Sequence, residues 1–255
     1  MITVNFNKIF KETDIALGNH MFQYAICRIT ALKNGFNFYI PDPGRLHNCF
    51  PGIDLGKIDG DIKYHYSDSQ TQQYSPGVFS VSDYTNIWGY FQSEKYFEGF
   101  ENLVKEWFKI ELDSETEKIL NKYNVEDYCF LNIRGSGNVN SDIMLPKSYF
   151  EEAMKVIQKL KPKIKFVIVT DDQEISSQYF PEIDVLSNSV MIDFKLLYFS
   201  KYSIISNSTF SWWSCWLSEK EVVLAPEFWY NYNKKDVLGN VWFPADIKSK
   251  KFTYI

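Results

Sequence analysis

The sequence lacks the features that mark several large classes of protein. Its four cysteines, Cys27, Cys49, Cys129 and Cys215, lie far apart and form no CxxC pair, so neither a zinc ribbon nor a thioredoxin-type site is predicted. There are only three histidines, and neither a GxSxG nor an HExxH motif occurs, which argues against a histidine-based metal site. We interpret the cysteines as reduced thiols in a reducing compartment.

Long hydrophobic runs and an excess of positive charge are also missing. The longest apolar runs, such as Phe166–Val169, have only the length of a strand, and residues 1–14 contain no apolar segment of signal-peptide length. The 27 Lys and Arg residues against 32 Asp and Glu residues give a net charge of -5, the wrong sign for neutralising a phosphate backbone. We therefore expect a cytoplasmic protein with no transmembrane segment and no nucleic-acid partner. Membrane association is expected only through a partner or a weak surface contact.

The composition is otherwise that of an ordinary globular chain with an excess of aromatic residues. The 255 residues are 45% hydrophobic and 23% charged, which suits one large or two modest domains with a proper core. Aromatic residues reach 18%. Tyrosine and tryptophan combine a large buried area with a polar group, so this excess is compatible with a chain that holds a polar ligand.

The second half of the sequence alternates strand patterns with helix patterns. The strands are predicted at residues 128–133, 166–169, 202–206 and 222–225, and the helices at 147–160, 175–180 and 209–217. Such alternation is typical of βαβ units and a parallel sheet. It predicts one Rossmann-like unit from about residue 127 onward.

The first half is less regular. A helix is predicted over residues 20–33 and a strand over 36–40, and residues 41–86 read as short strands with long loops. The polar stretch 113–127 marks a domain boundary. The predicted domains are residues 1–126 and 127–255.

Two short motifs have simple structural interpretations. Asp59-Gly60-Asp61 has the DxD form with which some sugar-nucleotide transferases hold a divalent cation, but Asp-Gly between two strand-like runs first of all predicts a hairpin turn. Gly135 and Gly137 follow a predicted strand, yet the third glycine of a dinucleotide-binding loop is missing. Neither motif therefore predicts a cofactor or a metal.

A better candidate site lies where the predicted strand 202–206 meets the next helix. Ser208 and Thr209 come at the start of that helix, where free backbone N–H groups and the helix dipole favour an anion, although serine and threonine are also ordinary N-caps. Arg134 ends another predicted strand, and Asp171 and Asp172 end a third. Ligands of open α/β sheets bind at these strand ends, and an arginine fork suits a phosphate. The pattern indicates a nucleoside-diphosphate site.

Several segments, in order, resemble the α-1,2-fucosyltransferases of glycosyltransferase family 11. The longest are Leu17–Ala25 (LGNHMFQYA), Trp88–Phe97 (WGYFQSEKYF) and Ile204–Leu217 (IISNSTFSWWSCWL), and shorter ones are Leu145–Phe150, Val169–Asp172 and Val223–Asn231. The resemblance implies an α/β, GT-B-like fold with two Rossmann-like halves facing across a cleft. It also implies inverting, metal-independent transfer of L-fucose from GDP-fucose to a galactose-like glycan hydroxyl. The N-terminal domain would take the acceptor and the C-terminal domain the GDP-sugar.

The resemblance also implies roles for individual residues. Arg134 would hold the β-phosphate of the donor, Asp193 would accept hydrogen bonds from guanine, and Asn19 would face the acceptor or the reacting centre. His20 is a candidate general base. The full set implied for donor binding is Asn132, Arg134, Asp171, Asp172, Asp193, Ser208, Thr209 and Phe210, and the catalytic set is Arg134, His20 and Asn19.

The sequence departs from the family pattern at one motif. Where the family has His-x-Arg-Arg-x-Asp, residues 132–137 read NIRGSG, so the histidine, the second arginine and the aspartate are absent. His20 stands where the family usually has glutamine. Two alternatives follow: a transferase of the same fold that uses another GDP-sugar, or a catalytically silent protein that binds GDP or a glycan.

Overall fold

The computed structural model describes residues 1–4, 17–68, 73–135, 144–229 and 244–255. These residues form two compact units. The first comprises Met1–Lys109 with Phe243–Ser249, and the second comprises Ile110–Trp242 with Lys250–Ile255.

The first unit is built on a four-stranded parallel sheet. Its described elements are β1 (Ile2–Val4), α1 (Leu17–Asn34), β2 (Phe38–Tyr39), α2 (Gly44–Cys49), β3 (Tyr64–Ser67), β4 (Thr85–Trp88) and α3 (Glu101–Trp107). The strand order is β2-β1-β4-β3, and every pair is parallel. All residues from 17 to 27 of α1 are buried, and the Cys27 thiol donates to the carbonyl of Ile2 in β1. Helix α1 therefore packs against the middle of the sheet.

Residues near the end of the chain complete the first unit. The carboxylate of Asp246 accepts a hydrogen bond from the Tyr74 N–H at 2.7 Å, and the Ser249 hydroxyl donates to Glu94 at 2.6 Å. A few residues later the chain returns to the second unit as a short strand.

The second unit contains a six-stranded parallel sheet. Its described elements are α4 (Ser114–Lys122), β5 (Tyr128–Ile133), α5 (Lys147–Leu160), β6 (Lys165–Thr170), α6 (Gln173–Tyr179), β7 (Val185–Leu186), α7 (Val190–Phe199), β8 (Tyr202–Ile204), α8 (Thr209–Leu217), β9 (Val222–Ala225) and β10 (Thr253–Tyr254). The strand order is β10-β9-β8-β5-β6-β7. The order of a doubly wound sheet reverses here between β5 and β8, and such a switch point is where ligands bind.

The core of the second unit lies on both faces of β5. Cys129, Leu131 and Ile133 belong to an apolar cluster with Phe150 and Ile157 of α5. Phe130 projects from the other face into a cluster with Leu196 and Leu197 of α7. Strands covered by helices on both faces are apolar throughout rather than alternating, which is why β5 reads as a continuous hydrophobic run.

The predicted elements of the second half are largely confirmed. The strands at 128–133 and 222–225 and the helices at 147–160 and 209–217 have the predicted bounds. Helix α7 is absent from the sequence prediction because it is apolar nearly all round (VMIDFKLLYF) and so shows no amphipathic period. The short edge strands β7 and β10 were also not predicted.

The hairpin predicted at Asp59-Gly60-Asp61 is wrong. The strand after these residues, β3, pairs in parallel with β4 rather than antiparallel with a preceding strand. The backbone carbonyl of Tyr84, just before β4, accepts hydrogen bonds from the N–H groups of Lys63 and Tyr64. Asp-Gly therefore lies in a connecting segment and not in a two-residue turn.

The compact units divide earlier in the chain than the predicted boundary after residue 126. Helix α4 packs against α7, and Lys195 of α7 forms an ion pair with Asp113, the N-cap of α4. The Tyr123 hydroxyl, just after α4, also donates to Asp184 at 2.8 Å. These contacts make α4 part of the second unit.

Among the residues that the structure describes, no helix has both the length and the apolar character needed to cross a bilayer.

Candidate functional site

The loops after β5 and β8 meet at the switch point of the second sheet. The N–H of Arg134, directly after β5, donates to the Ser206 hydroxyl at 3.1 Å. That hydroxyl in turn donates to the carbonyl of Asn132 at 2.7 Å. Ser206 thus joins the two strand ends, a role that nothing in the sequence distinguished from the other serines nearby.

Asp171, after β6, is the partner of Arg134. One carboxylate oxygen accepts the Gly135 N–H at 3.0 Å, and the other lies 3.1 Å from Nη1 of Arg134. Both side chains remain about one-third exposed, at 37% for Arg134 and 32% for Asp171. An incoming anion can therefore reach the guanidinium.

Only glycine fits at position 135, because the loop after β6 passes close to it. A Cβ at this position would lie 2.5 Å from Cβ of Asp172, which is too close for any side chain. The Asp172 carboxylate accepts the Ile175 N–H at 3.1 Å and so caps α6. Ser136 and Gly137 of the NIRGSG segment lie outside the described residues.

Helix α8 begins directly beyond the β8 loop. Ser208 is its N-cap and has an extended backbone, but its side chain makes no capping hydrogen bond. Both Ser208 and Thr209 are more than nine-tenths buried. The start of this nine-residue helix carries backbone N–H groups that the helix itself does not use, which is the arrangement that binds anions.

Asp193 lies in the first turn of α7 and is buried. The backbone and side-chain N–H groups of Asn188 donate to its carboxylate, the latter at 2.8 Å. Burial raises the pKa of Asp193 to about 6, and the nearby negative charge of Asp171 adds to this effect. Phe210 of α8 packs edge-on against Phe194 at 5.3 Å, which brings the starts of α7 and α8 together.

Asn132 carries a buried acceptor beside this cluster. Its Nδ2 donates to the carbonyl of Val169 at 3.2 Å, while within the described part of the chain its buried Oδ1 has no hydrogen-bond partner. A buried acceptor left unpaired costs free energy, so a donor supplied by a ligand would be favourable there.

The aromatic residues of the α8 segment mainly build the core. Trp212, Trp213 and Trp216 are at most 1% exposed, and the rings of Trp212 and Trp216 stack at 5.8 Å. They hold α8 in place rather than contact a ligand. The aromatic excess therefore supports the site indirectly.

The two remaining predicted site residues belong to the first unit. The amide oxygen of Asn19 accepts a hydrogen bond from Gln92 at 2.8 Å, and Gln23 of the same helix donates to the carbonyl of Gly89 at 2.8 Å. Phe91, between these two anchors, has a positive φ of 53°. Strained backbone held by several hydrogen bonds is common at functional sites.

His20 is more than nine-tenths buried beside the start of α2. Burial lowers the pKa of this imidazole to about 4, and the positive charge of Arg45 lowers it further. His20 is therefore neutral at pH 7 and can accept a proton, although a base with this pKa is weak.

In the described ranges no group of three or more His, Cys, Asp or Glu side chains is arranged to hold a metal ion. The charged groups that the described residues place at the switch point are one guanidinium and three carboxylates, of Arg134, Asp171, Asp172 and Asp193. This arrangement can bind a diphosphate through Arg134 and the start of α8. Through Asp193 it can bind the edge of a nucleobase that carries N–H donors.

A known structure matches the fold over most of the chain. The crystal structure of the NodZ alpha-1,6-fucosyltransferase soaked with GDP-fucose aligns with a TM-score of 0.50 at 13% sequence identity, over 85% of this chain and 92% of that one. At this identity the match concerns the fold alone. With the two parallel sheets it confirms the predicted α/β, GT-B-like class with two Rossmann-like halves.

Two curated sequences from Escherichia coli are also similar. The O-antigen biosynthesis glycosyltransferase WbnK is 33% identical over 104 residues, which are 37% of this chain and 34% of that protein. The Alpha-1,2-colitosyltransferase is 24% identical over an alignment of 259 residues, covering 84% of this chain and 89% of that protein. The match to WbnK thus spans about a third of its length.

A family model also matches the sequence. The model described as "Glycosyl transferase family 11" matches residues 64–243, which is well over half of the chain. That range holds the loops after β5, β6 and β8 and the start of α8. The protein is therefore a glycosyltransferase and belongs to glycosyl transferase family 11.

Proposed function

We propose that this glycosyltransferase moves L-fucose from GDP-fucose to the 2-hydroxyl of a galactose-like residue of a glycan, with inversion and without a metal ion. The observation that carries the proposal is the convergence of Arg134 and the start of α8 at the switch point. A similar protein is named an Alpha-1,2-colitosyltransferase, and the crystal structure of a protein of similar fold was obtained after soaking with GDP-fucose. Both names are compatible with this donor class.

In the proposed reaction the acceptor oxygen attacks the anomeric carbon while the bond from that carbon to the β-phosphate oxygen breaks. Arg134 and the N–H groups of α8 stabilise the negative charge that develops on the leaving GDP. The acceptor proton passes to a base, for which His20 is our candidate, with Asn19 binding the acceptor. The second unit takes the donor and the first unit takes the acceptor.

Asp171 has a different part in this proposal. A carboxylate close to a diphosphate repels it, so Asp171 contributes by orienting the guanidinium of Arg134 and the N–H of Gly135. Asp172 fixes the neighbouring loop through its cap on α6. Asn132, Ser208, Thr209 and Phe210 complete the donor site.

The donor assignment is tested with a panel of GDP-sugars. The most informative comparison is between GDP-fucose and GDP-colitose, since the two sugars differ in one ring hydroxyl. The name of one relative favours colitose as the transferred sugar. We expect release of GDP to be fastest with GDP-fucose in the presence of galactose-terminated acceptors. A preference for another GDP-sugar would mean that this sugar, and not fucose, is the one transferred. Tight binding of GDP with no transfer to any glycan would favour a silent binding protein.

A variant at Asp193 can test whether this carboxylate recognises guanine or only stabilises the structure. The ionised carboxylate accepts hydrogen bonds from two N–H groups of guanine, whereas inosine lacks the exocyclic amine. We expect the wild type to prefer GDP to IDP by about tenfold, the value of one such hydrogen bond. The Asp193→Asn variant is expected to lose most of that preference, measured by calorimetry.

The same carboxylate predicts a pH dependence with a defined sign. Because burial raises the pKa of Asp193 to about 6, protonation below that pH removes an acceptor and weakens donor binding. Affinity for GDP-fucose should therefore fall as the pH drops from 7 to 5 in the wild type but stay nearly constant in Asp193→Asn. GDP-fucose is used because its diphosphate does not titrate in this range. His20, with its pKa of about 4, is not expected to contribute to this change.

The stability of the same variant is the control. The raised pKa means that the ionised carboxylate costs free energy when the protein folds at neutral pH, so the linked stability falls as the pH rises through 6. A neutral amide avoids this cost, and the Tm of Asp193→Asn at pH 7 should not fall. A large drop in Tm together with unchanged discrimination between GDP and IDP would contradict the assignment.

A further inference from the structure

Four polar side chains form a row across the parallel sheet of the first unit. Thr3 of β1 is in register with Tyr39 of β2 on one side and with Asn86 of β4 on the other. Asn86 is in register with His65 of β3. Residues in register on neighbouring strands project from the same face, so this polar row crosses all four strands on one face.

A cavity of about 320 Å³ lies over this row, and all four side chains line it. The opposite wall is the segment 58–62, which contributes Ile58, Asp61 and Ile62. This segment contains the Asp-Gly-Asp motif, which the donor site does not use. The cavity belongs to the first unit, whereas the residues assigned to the donor lie in the second.

Thr3 carries the clearest sign that the cavity is a binding site. The residue is 5% exposed, and among the described residues its buried Oγ1 has no hydrogen-bond partner. A buried hydroxyl without a partner is costly, and Thr3 is one of the residues that line the cavity. A ligand that both donates and accepts hydrogen bonds would remove the cost.

The wall over the cavity is fixed at both ends. Before it, the Lys57 N–H donates to the carbonyl of Phe38 at 3.1 Å, and Asn37 donates to the Asp59 carboxylate. After it, the Lys63 N–H donates to the carbonyl of Tyr84 at 2.9 Å. A Cβ at Gly60 would lie only 2.5 Å from the Tyr84 ring, so the segment packs closely on that ring. The cavity is therefore preformed.

The lining chemistry suits a neutral polyhydroxylated ligand. Hydroxyl, phenol, amide and imidazole groups all form hydrogen bonds with sugar hydroxyls, and the Asp61 carboxylate can accept from a pair of hydroxyls. Among the described residues, no lysine or arginine lines the cavity, and Met1, which does line it, has its ammonium group paired with Asp83. Both facts disfavour a phosphate. Ile58, at 66% exposed, and Ile62 offer apolar surface for the C–H face of a pyranose ring.

The size of the cavity further limits which ligands can fit. Small-molecule sites span roughly 300–1,000 Å³, and this cavity of about 320 Å³ lies at the lower end. That volume suits one or two sugar rings and is small for a nucleotide sugar. We propose that this cavity is a second carbohydrate-binding site, which holds a neutral pyranose residue of a glycan. The inference goes beyond the proposed transfer reaction and does not depend on it.

The test follows methyl signals of isoleucine in the full chain by NMR. Methyl glycosides of galactose, fucose, glucose and N-acetylglucosamine are titrated separately into the millimolar range. At least one is expected to shift the signals of Ile58 and Ile62 saturably, both with and without saturating GDP. The same shifts are expected in Arg134→Ala, so failure of the proposed donor site does not affect this result.

Two threonine variants give a matched comparison. Thr3→Val removes the hydroxyl from the cavity and is expected to weaken glycoside binding by about tenfold. Thr30→Val makes the same change at another buried threonine of this unit, whose Oγ1 has no partner among the described residues and which does not line the cavity. Binding should be unchanged in Thr30→Val, and the Tm should not fall in either variant.

Three results would overturn the proposal. The first is that no glycoside of the panel shifts the Ile58 and Ile62 signals. The second is that glycosides bind equally well to Thr3→Val and to the wild type. The third is that inorganic phosphate, but no glycoside, produces the saturable shift.

Discussion

Replacing Arg134 with alanine is expected to lower kcat/KM for transfer by at least about a hundredfold, with the fold intact. Removing one group that stabilises a developing oxyanion costs about 10²–10³ in rate, and Arg134 is proposed to be the cation nearest the leaving phosphate. The fold should survive, because the contact between the loops uses the backbone N–H of Arg134, which alanine retains. Transfer kinetics and a thermal unfolding curve test both parts.

A lysine variant separates charge from geometry. Arg134→Lys keeps the positive charge but loses the planar fork that binds a carboxylate and a phosphate. We expect its activity to lie between the wild type and Arg134→Ala, with a raised KM for the donor. Full activity in Arg134→Ala would refute the role assigned to this residue, whatever the lysine variant does.

Replacing Lys220 with methionine is expected to destabilise the second unit strongly. The ammonium group is buried at the carboxyl end of α7, where it donates to the carbonyls of Leu197, Tyr198 and Ser200 and to the Ser200 hydroxyl at 2.9 Å. Methionine fills the space but removes the donor from the carbonyls of Tyr198 and Ser200. The Leu197 carbonyl keeps its hydrogen bond from the Ser200 hydroxyl. At about 1–3 kcal/mol for each unpaired buried group, the expected loss is about 3–5 kcal/mol, or a Tm lower by about 10 °C.

The neighbouring lysine on the surface is the control. Lys201 is 40% exposed and forms ion pairs with Glu126 and Glu221, which solvent screens. Lys201→Met should leave the Tm almost unchanged. Equal, small effects of the two substitutions would mean that Lys220 does not stabilise the end of α7.

The sequence predicted the elements whose burial follows a regular period, and missed those that depend on distant contacts. Helix α5 was predicted because Phe150, Ala153 and Ile157 recur on one face and face the sheet. Helix α7 has apolar residues nearly all round, because it packs against the sheet on one side and against α4 and α8 on others. Its environment, and not its own pattern, makes it a helix.

The same distinction holds in the candidate site. Arg134 and Asp171 were predicted to share the strand-end crevice, and they lie 3.1 Å apart there. Ser206 and Asn188 were not predicted, because their importance comes from hydrogen bonds to Arg134 and Asp193 that no local spacing reveals. Short polar side chains that connect loops leave no periodic signal in a sequence.

The position of residues 244–249 has a consequence for the order of folding during synthesis. The first unit leaves the ribosome first, but Tyr74 of this unit donates a hydrogen bond to Asp246, and Glu94 accepts one from Ser249. The nascent chain therefore cannot complete its first unit until nearly all of the second has been translated. The second unit waits as well, since the edge strand β10 follows those residues and only the other five strands, β5 to β9, come before them. Neither unit can therefore reach its final structure until residues 244–255 have been translated.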